Sequence, residues 1–318
     1  METKLTKTLP HLDPERMAKA RNAVRTNYVP KDLKPPFFFD DLLGLDNAHK
    51  RVALIHPDGT IAHQFTDARW KDPQGLCGSS HGTPRIYVSD GHSVYSYDKQ
   101  GVPQETLVTG LPSVGALSTR SGKIYVANPV ENKVLCYDTL GHQIATYDNW
   151  GGKDYQQITD IQATQQGLYV SFKGHYSPTN PDTWIPGGVV SVYKAGDAGT
   201  PLALPLDEQQ HQPDGITAMA FTSYELHPTG TIYLTVVNTF GYVSVFDSRN
   251  GSPWSLVRSS YTSVSTQSLV VSDEPELPHT LLGAGGGIGV WTTYGGGLIA
   301  PLTWDYESNW TDLAFFNQ

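Results

Sequence analysis

The sequence predicts an all-β fold, a six-bladed β-propeller, on three observations. A strand phrase recurs along the chain, a second alternating strand follows it within one turn, and nothing after residue 36 reads as a crossover helix. The phrase ends in an aromatic and a β-branched residue: Arg85-Ile-Tyr-Val88, Lys123-Ile-Tyr-Val126, Gly167-Leu-Tyr-Val170 and Thr231-Ile-Tyr-Leu234. Four strands in about 40 to 55 residues make one blade. A parallel βαβ fold needs connecting helices of ten or more residues, roughly, which this pattern does not supply.

Taken in order, the chain begins with an appendage, residues 1–35. Asp13–Arg25 reads as a helix capped by Asp13, with Pro14 in its first turn and Met17, Ala20 and Val24 on one face. The segment Pro30–Pro36 reads as extended. The propeller then occupies residues 36–318. Its third strands are Arg51–His56, Ser93–Asp98, Lys133–Asp138, Val189–Lys194, Tyr242–Asp247 and Gly287–Thr292, which sets the blade count at six. Small-residue strands precede the recurring phrase at Val114–Leu117, Ile158–Ile161, Gly215–Met219 and Gln267–Val271 and are assigned to the innermost position. Trp310–Phe316 reads as one more inner strand with no blade after it, while the first blade lacks one in front. The C-terminal strand is therefore expected to close the ring, which removes exposed sheet edges.

Composition bounds the function. The 318 residues carry 22 Lys+Arg against 31 Asp+Glu, a formal net charge of −9. Such a surface repels phosphate backbones, so nucleic acid is not an expected partner. No apolar run reaches the roughly 18 residues a membrane helix needs, so no membrane partner is expected either. No secretory signal is visible, which points to the cytoplasm unless the sequence is that of a processed form. Cys77 and Cys136 are spaced wrongly for a zinc site and read as small buried hydrophobes. A monomer acting on a small-molecule substrate is the expectation.

The phrase Leu111–Asn128, followed by Glu131–Asp138, resembles an NHL-type repeat. Pro213-Asp-Gly-Ile216 with Gly230-Thr-Ile-Tyr-Leu234 resembles the senescence-marker/gluconolactonase family of six-bladed propellers. That resemblance implies lactone hydrolysis with a divalent cation bound by the Asp of the Pro-Asp-Gly turn. The family also takes a Glu from its first inner strand and Asn from two others. The corresponding starts here are Asp312, Gly115 and Asp160.

Inner strands of a propeller begin near one mouth of its central channel, so acidic residues at three starts, Asp160, Asp214 and Asp312, are expected to converge. Gathered carboxylates repel one another and call for protons or a cation, and oxygen ligands without soft partners favour Ca²⁺ or Mg²⁺. The competing reading of each is a turn residue whose carboxylate caps backbone N–H groups. An insertion in blade four, Lys173–Gly188, joins the second and third strands on that face and is expected to roof the channel. His175, Tyr176, Asn180 and Trp184 within it, with His92 in a neighbouring loop, are candidate substrate contacts. Asp214, His211 and His175 are the candidate acid–base groups. The functional expectation is a divalent-cation-dependent lactone or ester hydrolase. The alternatives are a non-catalytic propeller that presents a face to a protein or glycan, and a metal-independent isomerase or cyclase that uses the axial carboxylates. Gly285–Gly289 lies between two strands and opens no helix, so it is read as a tight bend rather than a dinucleotide loop.

Overall fold

The computed structural model describes residues 42–318 except 153, 186, 205–214, 224–230, 239–241, 250–253, 262–265, 272–278, 285–286, 293–297, 305–306 and 318. The expected N-terminal appendage and the candidates His211 and Asp214 lie outside these residues.

The fold is a β-propeller. Five blades are four-stranded antiparallel sheets and the remaining one is five-stranded. Within each blade the strands follow one another outward in chain order, except in blade one. There the inner strand is the C-terminal Trp310–Ala314, paired to Leu42–Asp46, which leads to Arg51–Ile55 and Ile61–Thr66. The chain then runs on, and Phe316–Asn317 pairs in parallel with the inner strand of blade two, Pro73–Ser79. The two ends of the chain's described part therefore stitch blade one, and blade one is stitched to blade two, as ring closure requires. The six inner strands, Trp310–Ala314, Pro73–Ser79, Leu117–Arg120, Ile158–Thr164, Ile216–Ser223 and Ser268–Val271, each contact the next around a closed circle.

Why these segments are strands follows from their side chains. Tyr, Val and Ile suit a pleated surface buried on both faces, and the second strands, such as Lys123–Asn128, are buried almost throughout. Outer strands such as Ile61–Thr66 and Pro103–Val108 face solvent and carry polar residues. The hydrophobic clusters sit between neighbouring blades. Leu43, Val52, Trp70, Leu76, Val88 and Tyr97 join blades one and two, and Tyr125, Cys136, Trp150, Ile161, Val170 and Phe172 join blades three and four.

Turns repeat as well. Asp98 Oδ1 accepts the Gln100 and Val102 N–H bonds, both at 2.9 Å, and Asp138 Oδ1 accepts those of Leu140 and His142, also at 2.9 Å. Each of these turns contains a glycine with positive φ, Gly101 at 76° and Gly141 at 81°. A Cβ on Gly101 would run into the Phe65 ring of the preceding blade, so these glycines let one blade's outer turn settle against its neighbour.

Cys77 and Cys136 are free and buried, and burial pushes both thiols up, Cys136 to about 11. Of the glycine run 285–289, Gly287 pairs with Ala284, and Gly287–Gly289 belong to the strand Gly287–Thr292. The insertion of blade four forms a small hairpin of its own, His175–Tyr176 against Trp184–Ile185.

Candidate axial site

A cavity of about 230 Å³ lies where the inner strands begin, lined by residues of all six blades, Gln74, Ala116, Asp160, Thr217, Ser268 and Asp312 among them. Its position follows from the repeat: each inner strand delivers the same register position to the axis.

Asp160 and Asp312 occupy that position in blades four and one, three blades apart and so on opposite sides of the ring. Their local geometry is the same. Asp160 Oδ1 accepts its own neighbour's N–H, Ile161, at 2.7 Å, and Oδ2 accepts the N–H of Met219 in the next blade at 2.8 Å. Asp312 accepts Leu313 N–H at 2.8 Å and, in the next blade, Leu76 N–H at 2.7 Å. Each carboxylate thus clasps two blades, with charge-assisted bonds of about 1.5–3 kcal/mol apiece. Thr159, one residue earlier, reinforces the junction of blades four and five, its Oγ1 donating to Ile216 O at 2.6 Å, while Thr311 Oγ1 donates within blade one to Leu45 O at 3.4 Å.

The register corrects the assignment of the third aspartate. Asp160 bonds the N–H of Met219 and Asp312 that of Leu76, so the residues in phase with them are Ala218 in blade five and Gly75 in blade two. Asp214 stands four residues ahead of Ala218 and is not repeat-equivalent to the other two. In blade three the phase is held by Ala116, one along from Gly115, because Ala116 O and Ala127 N–H continue the ladder inward from Leu117. Gly215 is described and fixes where its turn arrives. Its φ is +108°, and a Cβ there would come within 2.8 Å of Gly174 N and Lys173 Cα, the root of the blade-four insertion.

Electrostatically the cavity is one-sided. No Lys, Arg or His lines it among the described residues. Burial pushes Asp160 up to about 7, against the pull of the Met219 and Ile161 N–H groups. Asp312 is pushed well above the usual carboxylate range by burial and then by the charge of Asp160. The donors present are carboxylate, hydroxyl and amide oxygens, a set that suits a hard cation such as Ca²⁺ or Mg²⁺. Among the described residues no group of three or more His, Cys, Asp or Glu converges to hold a metal, so a third acidic ligand would have to come from elsewhere, Asp214 being the candidate.

The other candidates lie off the axis. His175 is 8% exposed, and neither ring nitrogen has a hydrogen-bond partner among the described residues; Asp154 Oδ2 lies 3.8 Å from Nε2. Tyr176 is 63% exposed and packs edge-on against Trp184, ring centroids 4.9 Å apart. Asn180 caps a turn by accepting Asp182 N–H at 3.2 Å. His92 is exposed, with Nδ1 at 2.7 Å from Leu111 O. None of the four lines the axial cavity. Sequence reasoning missed Gln74, Thr217, Gln267 and Ser268 on its wall. Their signal was available: they flank the position in phase with Asp160, or occupy it, once the blades are aligned.

The sequence matches no family model and no curated protein. Solved structures do resemble it. A chain of the nidogen/laminin complex superposes with a TM-score of 0.62 at 11% identity, over 86% of this chain and 97% of that one. A gluconolactonase from Xanthomonas campestris gives 0.54 at 15% identity, over 83% and 85%. A chain of Kuenenia stuttgartiensis hydrazine synthase gives 0.54 at 13% identity, over 78% and 90%. What this chain shares with all three is the β-propeller fold.

Proposed function

We propose that this protein is a propeller enzyme that hydrolyses a small lactone or ester at its axial channel with the help of a divalent cation. One observation carries the reading: two carboxylates face a cavity of about 230 Å³ with no cationic side chain among its described lining. Something must neutralise them, and a proton or a cation is what fits. A volume of that size takes a hydrated ion or the reacting end of a small substrate, not a polymer.

Asp160 and Asp312 would hold the cation, with Asp214 as its proposed third acidic ligand. When bound, the cation supplies a Lewis acid that polarises a carbonyl. The protein's own groups do the rest. The inter-blade N–H bonds fix both carboxylates before substrate arrives, and hydroxyls such as Thr217 and Ser268 orient it. Asp214 or His211 would take the proton from the attacking water.

The test is metal analysis of protein purified without chelator, thermal melts with and without chelator, and hydrolysis assays on a panel of five- and six-membered lactones and aryl esters. Expected are about one divalent ion per chain, a melt lowered on chelation, and a loss of about 10²-fold or more in turnover for Asp160→Asn with Asp312→Asn. No ion, no melt shift and no turnover would return the protein to the second reading, a non-catalytic binding propeller. That reading is favoured by the exposed Tyr176 braced on Trp184 at the tip of the blade-four hairpin.

A further inference from the structure

We propose that the recess between blades three and four is a second ligand site, separate from the axial channel, and that it takes a neutral sugar. It measures about 690 Å³ and is walled by the turn ending at Asn132 on one side and the connection 148–157 on the other. That volume lies within the range of small-molecule sites.

The wall is built around Asn132. Its backbone is held in the left-handed region, φ 54°. Its amide Nδ2 donates to Tyr155 O at 2.6 Å, and its carbonyl accepts from Trp150 Nε1 at 3.0 Å. Two chain segments are thereby pinned to one residue. Phe172 braces the rings behind: Tyr155 stacks on it at 5.0 Å and Trp150 meets it edge-on at 5.2 Å. The remaining polar atom, Asn132 Oδ1, is buried and has no hydrogen-bond partner among the described residues. A buried acceptor left unmade is costly, about 1–3 kcal/mol.

The rest of the lining says what kind of ligand fits. Asp148 and Asp154 add carboxylate acceptors, while Asn149, Gln156 and Gln157 offer both donors and acceptors, and no Lys or Arg appears among the described lining residues. Asp154 is steadied by Gln156 Nε2 at 3.0 Å and is backed at 3.8 Å by the buried His175. Clustered Asp, Asn and Gln beside a rigid aromatic ring match vicinal hydroxyls, each both donor and acceptor. Anionic ligands are disfavoured by the two carboxylates.

The experiment is calorimetric and NMR titration of the full chain with glucose, galactose, mannose, N-acetylglucosamine, maltose and cellobiose, with spermidine as the cationic comparison. Binding of at least one sugar is expected, weakened tenfold or more in Asp154→Ala and in Asp148→Ala. Both side chains are exposed, so each variant should keep the wild-type melt. Asp160→Asn and Asp312→Asn should bind the sugar like wild type, which keeps this outcome independent of the axial reading. No binding across the sugars, binding of spermidine alone, or sugar binding unchanged by both recess variants would overturn the proposal.

Discussion

Two sites among the described residues treat aspartate in opposite ways. At the edge of blade one, Asp46 is fully buried yet accepts Arg51 Nε at 2.9 Å, His49 Nδ1 at 2.7 Å and Asn309 N–H at 2.8 Å. Burial raises its carboxyl, but the Asn309 N–H, His49, Ser308 and Arg51 together hold it below the usual range. At the axis, Asp160 and Asp312 accept only peptide N–H groups among the described residues and are pushed up, Asp160 to about 7. The contrast shows that burial alone does not decide a carboxylate's state; the hydrogen bonds and charges that compensate it do, first of them at Asp46 the Asn309 N–H. A site that withholds the partner keeps charge available for something else.

The comparison is open to attack from either end. The largest expected effect is at the paired end. Arg51→Met strips Asp46 of its guanidinium and should cost about 3 kcal/mol in urea unfolding, because one half of a buried pair is left behind. A cost below about 1 kcal/mol would mean that His49 and the Asn309 N–H suffice alone.

At the axial end the sign reverses. A carboxyl whose folded value lies above its unfolded one, near 3.8, binds more protons folded than unfolded between the two values, so it stabilises at low pH and loses that as pH rises through about 7. In chelator-treated buffer the wild type should therefore melt higher at pH 5 than at pH 8, by up to a few kcal/mol of linkage, and Asp160→Asn should flatten that slope. Adding Ca²⁺ at pH 8 should restore the wild type and leave the Asp160→Asn, Asp312→Asn double variant unmoved.

A smaller effect concerns Asp67, held down to about 2 first by the Arg69 hydrogen bond and also by Tyr97. Its contribution is present above pH 4 or so and lost as pH falls toward 2. Asp67→Asn should lower the melt at pH 7 by a few degrees and scarcely at pH 2. Smallest of all, Tyr176→Ser should leave the melt within about 0.5 kcal/mol of wild type, since the ring faces water. A partner lost with that change would favour the binding reading.

Much of the fold was legible because it rests on local patterns that repeat. Phrases such as Lys123-Ile-Tyr-Val126 and turns such as Asp138–Gly141 announce strand and hairpin wherever they occur. The inner strand of blade two, Pro73–Ser79, escaped because Gly75, Cys77 and Gly78 carry almost no periodic signal; it is a strand by virtue of its neighbours on both sides. Asp160 and Asp312 were found for the same reason the blades were, a shared phase. Asp214 was grouped with them because a turn motif imitates that phase. Blades four and five carry the same irregularity, between Ile158 and Asp160 and between Ile216 and Ala218, so Ala218 and not Asp214 shares the phase of Asp160.

The recess was invisible for a different reason. Asn132, Trp150 and Tyr155 belong to loops, and only packing of blade three on blade four brings them together. The sequence by itself determined six units, their order and the closing strand, since each unit needs only short-range alternation and a turn. The tertiary structure alone decided which carboxylates meet a cation and which meet only peptide N–H groups. Charge compensation depends on distances across blades, and those arise when the ring closes.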